Sequence, residues 1–170
     1  MTIEFNVFSE ESIDDAIKAV EDYKKDLHGK TSELVDEVAT LVEESAAYEL
    51  SKHVWTGETL DSLRKEFNRG SYTARILVGG AAVWLEFGTG VVANPVGVGG
   101  YAHPKAAELG MYGIGEYGHG HGADPNGWWY YDEEGKSRHT FGIPATMFMY
   151  HSAWNARHEI PALARRIFKT

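Results

Sequence analysis

The sequence predicts an α+β fold: a small antiparallel sheet packed against a long helix and a C-terminal helix, with a long glycine-rich loop. Three observations predict it. Apolar residues recur at helical spacing before residue 53 and after residue 145, and two hairpin patterns cover 63–78 and 128–141. Residues 91–127 contain 10 glycines and show little periodicity. A loop of this length is uncommon in a compact domain and usually has a function.

The overall composition is that of an ordinary globular protein. Of the 170 residues, 43% are hydrophobic and 24% are charged, so residues 1–170 are predicted to form a single domain with its own core. No apolar run approaches the roughly 18 residues of a membrane span, and no secretory signal is expected at the N-terminus. Cysteine is absent, which excludes disulfides and thiolate zinc sites and suits a reducing cytosol.

The net charge of −9 is concentrated in the first third of the chain. Residues 1–58 carry 15 acidic and 5 basic side chains, whereas residues 59–170 carry 10 acidic and 11 basic ones. This balance argues against general affinity for a nucleic-acid backbone, which requires a basic surface. It suits subunits that stack an acidic face on a more basic one, and a simply solvated acidic helix pair remains the alternative.

The N-terminal third is predicted to be a strand followed by two acidic helices. Residues 2–8 alternate apolar and polar, as a half-buried strand does, and Ser9 is a suitable helix N-cap. The first helix is predicted to end at Gly29, so that residues 1–30 form a strand-and-helix extension. The second helix is predicted over 31–53, with one apolar and one acidic face.

The remaining regular elements are two hairpins and a last helix. Strands are predicted on either side of an Asn-Arg-Gly-Ser turn within 63–78, and on either side of an Asp-Glu-Glu-Gly turn within 128–141. The final helix is predicted from about Ala145, and Pro161 is expected to kink or restart it.

Residues 81–90 join the first hairpin to the loop and combine an apolar run with one carboxylate. Trp84, Leu85 and Phe87 are expected to be buried, while Glu86 needs a hydrogen-bond donor or water. Glycine tolerates positive φ and close backbone approach, so glycines at both ends of the loop are expected to act as hinges. The predicted hinges are Gly88, Gly90 and Gly127.

The histidines of the loop are the best candidates for a metal site. His119 and His121 flank a glycine, and His103 and His139 are within range, but no HExxH spacing is present and the alternative is a pair of exposed loop histidines. Residues 97–100 are glycine-rich but lack the lysine and the following helix of a phosphate-binding P-loop. No metal and no cofactor are therefore predicted.

The sequence evidence for a catalytic site is as weak as the evidence for a metal site. Glu86 and His103 could form an acid–base pair, and Ser152 lies near His151 and His158 in sequence. None of them occupies a nucleophile motif such as GxSxG, and an isolated carboxylate beside an apolar run more often bonds to backbone or arginine. The sequence therefore predicts no catalytic residues and a protein that is not an enzyme.

Three sequence blocks together resemble a known family. They are Thr56-Gly57 followed by Leu60 and Ser62, then Ala81-Ala82 through Glu86-Phe87-Gly88-Thr89-Gly90, and last Gly142-Ile143-Pro144-Ala145-Thr146-Met147-Phe148. In this order they resemble the tail-completion, or head–tail joining, proteins of the neck of long-tailed bacteriophages. The resemblance covers about 31–168, and the Glu-Phe-Gly-Thr-Gly block is its most specific part. Ala81 stands where the family usually has tyrosine, and the spacing from Thr-Gly to leucine is one residue longer.

The resemblance implies a virion structural protein of the neck, assembled in the host cytoplasm and acting as one subunit of a homo-oligomeric ring, expected to be a hexamer. It would contact the connector or stopper, the tail terminator and the tail tube, and genomic DNA would pass through the ring without specific binding. Whether the acidic helix face lines that channel is a separate hypothesis, based on the fact that basic residues there would hold phosphates. No membrane partner is implied. The predicted ring or partner interface comprises Trp84, Glu86, Phe87, Tyr101, Tyr112, Tyr117, Trp128, Trp129 and Tyr130.

Two alternatives stay open at this level. A tail terminator that caps the tail tube has a similar architecture and would differ only in its neighbours. A metal-dependent hydrolase would use the histidine-bearing loop at His119 and His121. The copy number, six or twelve, is also open.

Overall fold

The α+β fold is confirmed in a computed structural model of the chain. The structure describes residues 4, 9–53, 57–89, 103–105, 108–109, 126–132 and 134–169. Its elements are α1 (Glu10–Ser51), α2 (Glu58–Asp61), β1 (Arg64–Asn68), β2 (Thr73–Leu77), α3 (Ala82–Phe87), β3 (Trp128–Tyr131), β4 (Ser137–Thr140) and α4 (Phe148–Phe168). The predicted strand at 2–8 and most of the glycine-rich loop lie outside the described residues. None of the described helices combines the length and the hydropathy needed to span a bilayer.

The prediction of two N-terminal helices is wrong, because α1 is one helix of 42 residues. Ser9 caps it as expected, since its hydroxyl accepts the Ser12 backbone N–H at 3.3 Å. Gly29 does not end it. A C-capping glycine adopts positive φ, and Gly29 is not among the glycines that do so here. The hydroxyl of Thr31 donates to the Leu27 carbonyl across this position, so the helix continues.

The first predicted hairpin forms and packs on α1. Strands β1 and β2 pair antiparallel with Lys65 opposite Ile76, and their side chains alternate between solvent and α1. The ammonium of Lys65 donates to Asp36 at 2.8 Å and to the Thr40 hydroxyl at 2.7 Å. At the turn, the ring of Tyr72 stacks on His28 with centroids 5.5 Å apart. The hairpin therefore covers α1 from about residue 28 onward.

The second hairpin, β3 with β4, forms a separate two-stranded sheet. Its turn is held by Asp132, whose Oδ1 accepts the Lys136 backbone N–H at 2.8 Å and whose Oδ2 accepts Arg138 Nε at 2.9 Å. Gly127 precedes β3 with φ 72°, and a Cβ there would lie 2.2 Å from the Thr140 carbonyl oxygen. Glycine is thus required at the start of this hairpin, and its role as a hinge stays a prediction.

The core is small and centres on the contact between α1 and α4. Phe148 is almost completely buried against Ala46 and Leu50 of α1 and Ala82 of α3. Small side chains at these positions let the helix axes approach closely, so one phenylalanine can fill the space between them. Partly buried neighbours complete the cluster: Leu60, Leu63, Val78, Leu85 and Met149.

The last helix differs from its prediction in two ways. It begins at Phe148, not at Ala145, and it runs through Pro161 to Phe168 without a restart. Proline removes one backbone hydrogen bond, but the buried side chains of Ala156 and Ile167 hold α4 to α1 on both sides of it. Packing therefore outweighs the local penalty.

Candidate functional site

The short helix α3 reverses the burial expected for residues 81–90. Glu86 is only 7% exposed, whereas Trp84 is 40% exposed and Leu85 and Phe87 are partly buried. The reason is helical geometry. Ala82 and Glu86 are four residues apart and share the face of α3 that turns toward the core, which places the carboxylate inside and the indole outside. Glu86, predicted as an interface residue, thus lies inside the subunit.

The carboxylate of Glu86 caps α4 from a different element. The N-cap position of α4 is Met147, in a left-handed conformation at φ 54°, and its side chain has no oxygen to accept a backbone N–H. Glu86 supplies the acceptors: Oε2 accepts the Met149 N–H at 2.8 Å and Oε1 accepts the Tyr150 N–H at 3.0 Å. A negative charge at this position also complements the positive end of the helix dipole.

The backbone around Glu86 strengthens the same junction. The Leu85 carbonyl accepts both the N–H and the hydroxyl of Thr146 at 2.8 Å, and the Glu86 carbonyl accepts the Met147 N–H at 3.2 Å. Thr89 and Ile143 exchange two backbone hydrogen bonds, at 2.8 and 3.2 Å. The C-terminal carbonyls of α3, which lack partners inside their helix, are satisfied in this way. We call this set of contacts the α3–α4 junction.

His103 adds a third donor to Glu86. Its Nε2 lies 2.9 Å from Glu86 Oε1, and its Nδ1 accepts the backbone N–H of Lys105 at 3.0 Å. Because Nδ1 is an acceptor, the hydrogen-bond network assigns the proton to Nε2, which donates to the carboxylate. The ring is 4% exposed and is held between Phe87 and Tyr150, with centroid distances of 4.4 and 5.4 Å.

The Glu86–His103 pair therefore forms, as acid–base chemistry would need, but its atoms are all engaged. Both imidazole nitrogens have partners inside the chain, and the two carboxylate oxygens together accept three donors. Neither residue presents a nitrogen or oxygen to a substrate or a metal. What the arrangement does chemically is hold the segment around His103 to the start of α4.

The other candidate catalytic and metal residues that the structure describes do not converge. Ser152 is fully buried and its hydroxyl donates to the Phe148 carbonyl at 2.6 Å, while His151 and His158 are exposed. His139 packs its ring against Trp129 at 4.9 Å. Within the described ranges no three metal-ligating side chains cluster. His119 and His121 lie outside the described residues.

The described part of the predicted interface is exposed only in part, at Trp84 and Trp129. Along β3 the side chains alternate, so Trp128 and Tyr130 are partly buried while Trp129 and Tyr131 are 68% and 78% exposed. Tyr131 was missed by the sequence prediction, although the period-2 alternation with Trp129 indicates it. Trp84 lines an apolar cavity of about 540 Å³ with Leu50, Leu60, Leu85 and Ile143. Gly88 has φ 74°, a conformation that favours glycine, and its role as a hinge stays a prediction. Gly90, Tyr101, Tyr112 and Tyr117 lie outside the described residues.

Asp132 in the second hairpin and Lys105 next to His103 have shifted pKa values. Hydrogen bonds from Arg138 and from the Lys136 backbone lower the pKa of Asp132 below its ordinary value. A hydrogen bond to Glu108 raises the pKa of Lys105. Both groups are at the surface, so the shifts indicate local order in the second hairpin and next to His103, not a catalytic environment.

Comparison with known proteins gives no relative for this chain: no family model, no curated protein and no solved structure matches it.

Proposed function

We propose that this protein is a structural subunit of the neck of a long-tailed phage, a ring-forming tail-completion or head–tail joining protein without catalytic activity. The observation that carries the proposal is the α3–α4 junction. The two most specific blocks of the family resemblance, Glu86 to Thr89 and Gly142 to Phe148, are more than 50 residues apart in sequence and bond directly to each other. The α3–α4 junction needs residues from both blocks, which explains why the two blocks occur in the same sequence.

The junction also accounts for the residue types in the blocks. Glu86 caps a helix, Thr89 pairs with Ile143, and Thr146 satisfies the carbonyls that end α3. Each of these roles fixes the angle between two helices, and none of them acts on a ligand. A motif of this kind is what a subunit needs when its surfaces must be presented at fixed angles to neighbours around an axis.

The surface supports a role in assembly. Large apolar side chains are exposed on three separate parts of the described chain: the first half of α1, the outward face of β3 and the outward face of α4. Multiple exposed apolar areas on one domain indicate protein–protein contacts. Trp129 and Tyr131 are of the residue types that most often dominate binding energy at such contacts.

The test is the location of the chain in particles. Phage lacking the gene should accumulate filled heads and separate tails, and adding the purified protein should restore joining. Electron microscopy of particles carrying a tagged chain should show a ring of this protein at the neck. A tag located at the end of the tail tube before head joining would favour a tail terminator instead. A purified chain that holds stoichiometric zinc, or particles that join normally without the gene, would contradict the proposal.

A further inference from the structure

The first half of α1 carries an apolar stripe that no described part of the chain covers. Ile13, Ile17, Val20 and Leu27, here called the α1 stripe, follow at intervals of four, three and seven and are 36–53% exposed. The same side of the helix continues into Leu34, Val38 and Val42, which line a groove together with Ala74 and Ile76 of β2 and Ile160 of α4. The stripe is therefore the uncovered continuation of a face that the chain packs elsewhere.

The outward face of α4 has a stripe of the same form. Trp154, His158, Pro161 and Phe168, here called the α4 stripe, also follow at intervals of four, three and seven, and all are exposed. Trp154 stacks between Tyr150 and His158 along the helix, which holds its ring on this side. The opposite side of α4, with Ser152, Ala156 and Ile167, is buried against the rest of the chain.

The two stripes match in length and differ in charge. Each spans 14 steps of helix, about 21 Å at 1.5 Å per residue. Residues 10–30 carry seven acidic and four basic side chains, whereas residues 148–169 carry four basic and one acidic. The α1 stripe, which lies among acidic residues, thus has the same length and spacing as the α4 stripe, which lies among basic residues. Because charge complementarity selects partners and steers association, the two surfaces suit each other.

We propose that the α1 stripe of one copy docks on the α4 stripe of a second copy. This inference rests on the proposed function, because it names the contact by which the ring subunits join. Two α1 stripes would bring acidic segments together, and two α4 stripes would bring basic ones together, so self-pairing of either stripe is disfavoured. A contact between unlike surfaces leaves one stripe free at each end of a pair, and it can repeat until the ring closes.

The test uses the absence of cysteine from the natural chain, which makes engineered thiols specific. Val20 and Pro161 are the midpoints of their stripes, so they face each other whichever way the two helices run. Purified Val20→Cys and Pro161→Cys proteins are mixed and exposed to oxidised glutathione. The dominant covalent product is expected to be a heterodimer of one chain of each variant, since facing positions satisfy disulfide geometry. A chain with both substitutions is expected to give a ladder of covalent oligomers.

The matched control is Tyr48→Cys, which places a thiol at an exposed apolar position of α1 outside the stripe. Mixed with Pro161→Cys, it is expected to give no covalent heterodimer. Dominant homodimers of Val20→Cys would replace the proposal with α1–α1 pairing, and absence of any cross-linked heterodimer would overturn it. A second measurement is independent of cross-linking. Ile17→Asp and Trp154→Asp are each expected to abolish self-association in sedimentation, and their mixture is expected to form a 1:1 pair that grows no further.

These outcomes separate the inference from the proposed function. A heterodimer from a chain that is not found at the neck would support the docking contact and refute the neck assignment. A chain that is found in a neck ring but gives no heterodimer would leave the assignment standing and refute the docking contact. Far-ultraviolet circular dichroism of each variant establishes that the helices are intact before either conclusion is drawn.

Discussion

Glu86 Oε1 and His103 Nε2 lie 2.9 Å apart, and both side chains are more than nine-tenths buried. The same carboxylate caps α4 through the Met149 and Tyr150 backbone N–H groups. One buried charge therefore joins α3, the segment around His103 and the start of the last helix. A buried carboxylate is costly unless its hydrogen-bonding capacity is filled, and here three donors fill it.

Glu86→Gln is predicted to destabilise the fold by about 1–3 kcal/mol, the cost of leaving a buried donor without its acceptor. The amide keeps the shape of the side chain but turns one acceptor oxygen into a donor that faces other donors. Chemical denaturation measures the free energy of unfolding. The control is Glu44→Gln, an exposed carboxylate on α1. Equal stability of the two variants would show that Glu86 does not cap α4.

His103→Ala is predicted to free the segment next to it while the helices stay folded. The Lys105 backbone N–H then loses its acceptor, and Glu86 loses one of its three donors. Hydrogen exchange at Lys105 should become much faster, and exchange in the first turn of α4 should rise moderately. His53→Ala, at an exposed histidine, serves as the comparison. Unchanged exchange at Lys105 would contradict the anchoring role.

The second hairpin is predicted to loosen in acid because of Asp132. Its pKa is lowered by Arg138 and by backbone N–H groups, so the carboxylate stabilises the hairpin at pH values above the ordinary aspartate pKa of about 3.9. That contribution is lost as the pH falls through the lowered pKa. NMR titration of the Lys136 amide should report the transition. Asp132→Asn should abolish it and Glu134→Gln should leave it; a transition that persists in Asp132→Asn would refute the assignment.

Trp129→Ala is predicted to weaken assembly much more than folding. The indole is 68% exposed, so its removal should change the free energy of unfolding by only about 0.5 kcal/mol, whereas loss of an interface anchor typically costs about 2 kcal/mol of binding. Thermal unfolding and the joining assay measure the two effects. Tyr48→Ala removes an equally exposed aromatic side chain from α1 and should join normally. Normal joining by Trp129→Ala would remove this residue from the interface.

Charge reversal on the acidic face of α1 is predicted to slow or block DNA ejection without stopping assembly, because basic residues in the channel would hold phosphates. The structure decides which residues can be used. Asp36 and Glu37 pair with Lys65 and Arg166, so reversing them would damage the fold. The variant is therefore Glu43→Lys with Glu44→Lys. Glu134→Lys, in the β3–β4 turn, is the control for a charge reversal away from α1, and normal ejection by the double variant would refute the channel assignment.

The sequence by itself determined the long helical segments at the two ends of the chain and the two hairpins, but not the short helices α2 and α3. Period-2 alternation around an Asn-Arg-Gly-Ser turn predicts β1 and β2. An aromatic run before an Asp-Glu-Glu-Gly turn predicts β3 and β4, because strand propensity and turn residues are local properties. The glycine required before β3 was also predictable, since positive φ is a property of the turn itself. Ser9 was predictable as the cap of α1 for the same reason, because capping is a contact between residues close in sequence.

Only the tertiary structure decided where those segments end and which side chains they bury. Gly29 lies inside α1 because the first hairpin packs on both sides of it, through Tyr72 on His28 and Lys65 on Asp36. Pro161 lies inside α4 because its neighbours pack on α1. Glu86 is buried and Trp84 is exposed because positions 82 and 86 lie on the face of α3 that packs on the core. There the carboxylate accepts hydrogen bonds from the α4 backbone and from His103. From the local sequence alone, the carboxylate of Glu86 would be assigned to the surface. Three donors from segments distant in sequence make the interior its more favourable place.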